Sequence, residues 1–448
     1  MYEWSETDLM IRDAVRGFIA KEIRPQLDAL ESGEIPPYPI IRKLFAEFGI
    51  DAMARDGVEK MLAKERARET VGAAAGGAAA GGGAASGDAP RGDGGRGDDD
   101  SGGDSGGALE NRDSMMAVVT SELAGACMGL VSALGVSLGL GATTIASRGT
   151  LAQKERWLPG IVTMGKVASW AITEPDSGSD AFGGMRTYVR RDGEDYILNG
   201  QKTFITNGPY ADVMIVYAKL DEGSGGAGGT GPATDADKRD RKVLTFVLDK
   251  GMEGLTQGAP FKKMGLHSSP TGELFFDNVR LGRDRLLGES ESGRGGDGRE
   301  SARSSFTAER IGVATMALGI IEECHRLCVD YSRERTLWGQ EIGRFQLIQL
   351  KLAKMEVARM NVRNMVFNSI ERARAGKPLS LAEASAMKLY SSEAATEVAM
   401  EAVQLFGGNG YMAEYRVEQL ARDAKSLMIY AGSNEIQVTH IAKGLLAR

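Results

Sequence analysis

The sequence predicts an α+β protein, with helices at both ends and a small β region between them. Three observations carry this. Apolar residues recur at helical spacing before residue 168 and after residue 305. Between them lie short β-branched or aromatic runs separated by Gly, Asn and Asp. The last helices have bundle-like lengths and short connections, as in a four-helix bundle. The expected parts are an N-terminal helical domain over 1–168, a β domain over 169–288 and a C-terminal helical bundle over 305–448.

Taken in order, residues 5–25 read as an amphipathic helix. Ile11, Val15, Phe18, Ile19 and Ile23 share a face, Ser5 and Asp8 suit a capping box, and Pro25 ends it. A second helix is expected over 39–48. Residues 71–107 are almost wholly Gly, Ala, Asp, Ser and Arg without apolar periodicity, so they cannot bury enough surface to offset ordering entropy, and disorder is expected. Residues 221–239 and 289–304 have a similar character and read as surface-loop insertions. One or two buried helices follow over 115–145. Strands are expected at 196–198, 203–206, 213–217, 243–248 and 273–276. Residues 345–375 are strongly periodic, Ser380 with Glu383 makes another capping box, and a final helix follows Asn434.

Composition narrows the function. The 448 residues are 42% hydrophobic, enough for a large core. The net charge of -7 argues against a nucleic-acid binder, which would carry a basic stripe. The acidic N-terminus resembles neither a secretory signal nor a transit peptide. The most apolar stretch, 115–145, is rich in Gly, Ala and Ser and carries Glu122, so no membrane span is expected. Cys127, Cys324 and Cys328 are too few for a disulfide framework, which points to a reducing, cytoplasmic setting. Cys324, His325 and Cys328 could suggest a metal site, but the two cysteines sit one turn apart in an apolar helix without a second ligand pair, so no metal is expected.

Six motifs remain. Ala171-Ile172-Thr173-Glu174-Pro175-Asp176-Ser177-Gly178-Ser179-Asp180 places hydroxyls and glycines after a strand, and Asn199-Gly200-Gln201-Lys202-Thr203 turns into a strand that continues to Thr206. Thr271-Gly272-Glu273-Leu274 closes the β region. The helical half holds Arg335-Thr336-Leu337-Trp338-Gly339 with Gln346, then Gln404-Leu405-Phe406-Gly407-Gly408-Asn409-Gly410, and last Ile429-Tyr430-Ala431-Gly432-Ser433-Asn434-Glu435. The Gly-Gly-x-Gly run has no βαβ unit around it and is no Rossmann fingerprint.

In this order, these segments resemble the acyl-CoA dehydrogenase family over nearly the whole chain outside the three low-complexity stretches. The resemblance implies FAD between the β domain and the bundle. Trp170, Ile172, Thr173 and Ser179 would lie along one side of the flavin, and Phe204, Ile205 and Thr206 along the other. Arg335, Trp338 and Gln346 would reach the FAD of a neighbouring subunit, with Arg335 forked onto the pyrophosphate. Gln404, Gly407, Gly408, Ser433 and Glu435 would complete the cofactor site. Sites completed by a second subunit imply an oligomer, here a homotetramer built as a dimer of dimers. The implied reaction is α,β-dehydrogenation of an acyl-CoA, with electrons passed to an electron-transfer flavoprotein. Same-fold alternatives are a flavin oxidase or monooxygenase and a catalytically impaired flavin-binding relative.

One departure matters most. Most relatives carry the proton-abstracting Glu in Tyr-Glu-Gly, whereas this chain has Tyr430-Ala431-Gly432. In the isovaleryl-CoA and long-chain branches the glutamate sits on an earlier helix, directly before an arginine. Thr307-Ala308-Glu309-Arg310 matches that placement. Glu309 is therefore expected as the base, and the Ala431 backbone N–H as a donor to the thioester oxygen. Ser179, Thr307, Arg310 and Tyr430 are expected at the substrate.

Overall fold

A computed structural model describes residues 4–79, 112–222, 239–292 and 297–447. Helix α1 (Glu6–Phe18) opens with the expected capping box, in which the Ser5 side chain and Asp8 satisfy each other's backbone N–H groups. The chain does not stop at Pro25. A wide π turn over Ile19–Ile23 and a 3₁₀ turn over Arg24–Gln26 place the proline at the start of a new turn, where its missing N–H costs nothing. Helix α2 (Leu27–Ser32) follows and ends at Gly33, whose φ of 74° suits a residue without Cβ. Helices α3 (Tyr38–Glu47) and α4 (Ile50–Ala79) come next. The last turns of α4 are helical up to Ala79, inside the stretch expected to be disordered. Alanine's helix propensity and continuity with the preceding turns carry the helix onward. The remainder of that stretch, 80–107, lies outside the described residues.

Helix α5 (Arg112–Gly135) bends at Cys127 and passes through a π turn (Val136–Ala142) into α6 (Thr143–Arg148). By length and composition Asp113–Arg148 could cross a membrane, but 67% of its most apolar window is buried inside the protein, so it serves here as core. Helix α7 (Leu151–Val162) closes the first helical region.

The sheet has seven strands: β1 (Ala168–Ala171), β2 (Tyr188–Asp192), β3 (Asp195–Thr206), β4 (Val213–Leu220), β5 (Val243–Asp249), β6 (Leu255–Gln257) and β7 (Thr271–Leu281). Their order is β1-β4-β2-β3-β7-β6, with β5 on β4. Strand β4 is buried along its whole length: its residues 213–218 are apolar, and the buried Lys219 donates to the Gly183 carbonyl at 2.8 Å. The runs at 196–198 and 203–206 are one strand, β3, whose pairing with β7 shifts between Lys202 and Ile205. Within that irregularity Phe204 takes a positive φ of 56°.

Helix α8 (Gly298–Glu334) begins inside the segment 289–304 read as an insertion. Asp297 caps it through the Arg299 N–H. The first part of that segment is also tied down, because Glu291 pairs with Arg191 and accepts from the Tyr196 hydroxyl at 2.6 Å. Composition missed these specific partners. A two-strand turn, β8 (Thr336–Leu337) and β9 (Gln340–Glu341), leads to α9 (Gln346–Arg374), α10 (Leu381–Phe406), α11 (Val417–Ser426) and α12 (Asn434–Leu446). Ser380 and Glu383 form the expected capping box at α10. One apolar cluster runs from α1 and α5 through α8, α9 and α10 to α11.

Candidate active site

Three segments meet at the candidate catalytic end of the bundle: the stretch of α8 around Glu309 and Arg310, the buried face of α10 and the turn before α12. Arg310 is 2% exposed and donates to Ser385 Oγ of α10 at 3.0 Å, with its guanidinium over the Phe306 ring. The same guanidinium lies 3.8 Å from where a Cβ on Gly432 would stand, so α8 and the 430–434 turn are neighbours. Glu309 is only partly exposed. Among the described residues, no hydrogen-bond donor or ion-pair partner reaches its carboxylate. Burial pushes it up to about 7, against the opposing pull of Arg310 and Lys388. Thr307, two residues earlier, is partly exposed. Tyr430 has its phenol pushed well up by burial, with Glu309 and Asp423 among the charges it senses.

The turn itself is unusual. Ala431 has φ 57° and Gly432 φ 80°. An alanine in this region costs about 1 kcal/mol, so surrounding bonds must hold it there. Gln437 Nε2 donates to the carbonyls of Ala431 at 3.0 Å and Gly432 at 2.7 Å. Lys388 Nζ donates to the Gly432 carbonyl and to Asn434 Oδ1, each at 2.9 Å. Asn434 N–H closes the turn onto the Met428 carbonyl. Ser433 is partly exposed, and the exposed Glu435 carboxylate is held low by its own backbone N–H and the Ser433 side chain.

The β-domain residues form a second group. Lys202 Nζ donates to the Ile172 carbonyl at 3.0 Å and to Glu174 Oε1 at 2.8 Å, and Thr203 N–H donates to the Thr173 carbonyl at 2.9 Å. These bonds join the end of β1 to β3. Trp170 is half-buried with its indole N–H on Tyr217, Ile172 is buried, and Thr173 and Thr206 are partly exposed. Phe204 is 66% exposed and lies against Phe261, whereas Ser179 is exposed beyond the Glu174–Ser177 bridge. Ile205 departs from expectation. It is 2% exposed in the sheet core because the alternation of β3 turns its side chain inward, leaving only its backbone for a ligand.

A third group lines a cleft of ≈ 910 Å³: Arg335, Trp338 and Gln346 with Gly407 and Gly408. Gln404, exposed on the preceding turn, is not among the lining residues. Nor is any β-domain residue. Trp338 is 83% exposed, and Arg335 has no carboxylate partner among the described residues. Nothing lies within 4 Å of a Cβ position on Gly407 or Gly408. An uncompensated guanidinium, an open aromatic face and bare backbone suit a dinucleotide with a pyrophosphate.

Sequence reasoning missed three residues. Lys388 and Lys202 are fully buried, and Glu174 is 4% exposed. The available signal was a charge on an inward position: Lys388 falls on the Ala384–Ala395 stripe of α10, and Lys202 two places along β3 from Gly200.

Comparison with known proteins agrees with this architecture. Three family models match in order: acyl-CoA dehydrogenase N-terminal domain over residues 102–165, middle domain over 169–279 and C-terminal domain over 296–446. A short-chain-specific acyl-CoA dehydrogenase of Megasphaera elsdenii is 37% identical over 329 residues, 73% of this chain and 81% of its own. An acyl-CoA dehydrogenase of Bacillus subtilis is 32% identical over 442 residues, 99% of this chain and 98% of its own. The solved butyryl-CoA dehydrogenase of Megasphaera elsdenii superposes with a TM-score of 0.77 at 30% identity, covering 100% of both chains. The chain belongs to the acyl-CoA dehydrogenase family, FAD-dependent oxidoreductases acting on CH–CH donors.

Proposed function

We propose that this protein converts an acyl-CoA thioester to its trans-2-enoyl-CoA, with Glu309 removing the α-proton. The supporting observation is the environment of Glu309: a carboxylate drawn out of water, without a donor among the described residues, pushed up to about 7. A base near neutrality accepts a proton at working pH without being quenched by a permanent hydrogen bond. The Ala431 N–H, in its clamped left-handed turn, donates to the thioester oxygen, and its bond strengthens as enolate charge grows. FAD, when bound, would supply the hydride acceptor for the β-hydrogen. Arg310 keeps a buried positive charge beside the pocket, while Thr307, Tyr430 and Ser179 contact substrate. Trp170, Thr173, Phe204 and Thr206 would hold the flavin with the backbone of Ile172. Arg335, Trp338, Gln346, Gly407 and Gly408 meet the FAD of a second copy.

Electrons pass on to an electron-transfer flavoprotein, and the working species is a cytoplasmic homotetramer. The exposed Trp338 and the cleft's separation from the β-domain group support the shared site. Three buried free thiols support a reducing compartment.

The test is an anaerobic flavin spectrum during addition of straight and branched acyl-CoAs, with Glu309→Gln beside the wild type. Bleaching of the wild type that is lost in the variant is expected. Equal bleaching of both would move the base elsewhere. A reduced wild type that air reoxidises rapidly would favour an oxidase.

A further inference from the structure

We propose that Lys388 is a positioning residue for this site: its ammonium clamps the turn that carries the Ala431 N–H and sets a buried positive charge in the field of Glu309. This rests on the reading of Glu309 as base. Lys388 lies on the α10 stripe that faces α8 and the 430–434 turn, three residues after Ser385, the partner of Arg310. It is fully buried, and among the described residues its three N–H groups find two acceptors, the Gly432 carbonyl and Asn434 Oδ1. Neither acceptor is a carboxylate. A buried lysine bound to neutral oxygens keeps its full field for the nearest uncompensated anion. The acidic groups around it are Glu309 on α8, Glu435 at the start of α12 and Glu393 on α10 itself, and the facing cation is Arg310. Of the carboxylates, Glu435 is exposed and already bonded at its own turn, whereas Glu309 has no donor.

The mechanical half of the role is equally specific. The Gly432 carbonyl accepts from both Lys388 and Gln437, and Asn434 Oδ1 accepts from both Lys388 and Ser392. The 432–433 peptide, two peptide units beyond the proposed N–H donor, is thus held from α10 on one side and from α12 on the other. Lys388 alone joins this clamp to the charge, because Gln437 is neutral. Burial lowers the ammonium to about 8, so at neutral pH it is still mostly a cation and weakens above that.

The experiment is stopped-flow bleaching of the flavin-loaded enzyme by a reactive acyl-CoA across pH, in wild type, Lys388→Met, Lys388→Arg and Gln437→Met. Lys388→Met is expected to lower the plateau rate about 10- to 100-fold and to raise the midpoint of the alkaline-rising limb, since Glu309 loses a stabilising charge. Gln437→Met is expected to lower the rate with the midpoint unmoved. Lys388→Arg is expected to restore the wild-type midpoint. An unmoved midpoint in Lys388→Met overturns the proposal. If that variant does not retain flavin, a shifted midpoint in Lys388→Arg or a wild-type rate in Gln437→Met overturns it instead. Failure of the underlying reading is separate: Glu309→Gln would then bleach as the wild type does.

Discussion

Glu174, at the end of β1, and Glu309, on α8, are both carboxylates drawn away from water, and their surroundings answer that loss in opposite ways. Glu174 accepts from Lys202 Nζ at 2.8 Å and from the backbone N–H groups of Arg186 and Thr187 at 2.6 and 3.0 Å. Burial pushes its carboxyl up, but Lys202 and these donors outweigh it, and it stays below its usual range. Glu309 has two cations nearby and no donor among the described residues, so burial wins and the carboxyl rises to about 7. Desolvation alone therefore does not decide what a buried glutamate does. Donors convert one into a structural rivet between two strands, and their absence leaves the other with an unspent affinity for a proton.

This contrast can be broken by mutation. The largest effect is expected from Glu309→Gln, an isosteric change that removes the proposed base. Bleaching by acyl-CoA should slow by about 10³-fold or more, with flavin retained. Lys202→Met attacks the other glutamate by stranding its charge. Breaking a buried pair this way should cost about 3–5 kcal/mol in urea unfolding and loosen FAD, because the Ile172 carbonyl also loses its donor. A wild-type midpoint and full flavin content would show that Glu174 is not held as described.

The contrast is sharpened by pH. Glu309 must be ionised to accept a proton, so kcat/KM should climb tenfold per pH unit and level off above about 7, while Glu174 contributes no limb in that window. The smallest effect concerns stability. The folded-state value of Glu309 exceeds its ordinary 4.5, so its ionisation removes stability as pH rises from there through about 7. Glu309→Gln lacks that loss. The variant should be the more stable protein at pH 8, by on the order of 1 kcal/mol, with the difference shrinking as the pH falls from about 7 and gone below 4.5. Thermal melts at two pH values read this directly.

Much of this was legible in the sequence for local reasons. The capping boxes at Ser5 and Ser380 depend on residues three apart, and helices α9 and α10 on a strong period. The paired change at Ala431 and Glu309 was legible as a pattern of two departures. Glu309's lack of a donor was not, because it depends on what α10 and the 430–434 turn place nearby. The same holds for Lys202 and Lys388, which read as ordinary surface lysines until long-range folding encloses them. Strands β1 and β2 are too short to show alternation, and their pairing with β4 is non-local. The ordering of 289–292 depends on Arg191 and Tyr196, about a hundred residues away, which composition cannot register.

The left-handed turn at Ala431 also bears on how such a base could change places in descent. A chain carrying glutamates at both 309 and 431 would crowd two carboxylates around one pocket, and they would share a proton rather than ionise together. A chain carrying neither would lose the reaction at once. Of these two intermediates only the first can be selected for, and the buried charges of Arg310 and Lys388 are what would make it tolerable. The present alanine would then be the residue left after one of two redundant groups was discarded, still held in a backbone conformation that a glycine would adopt with less strain.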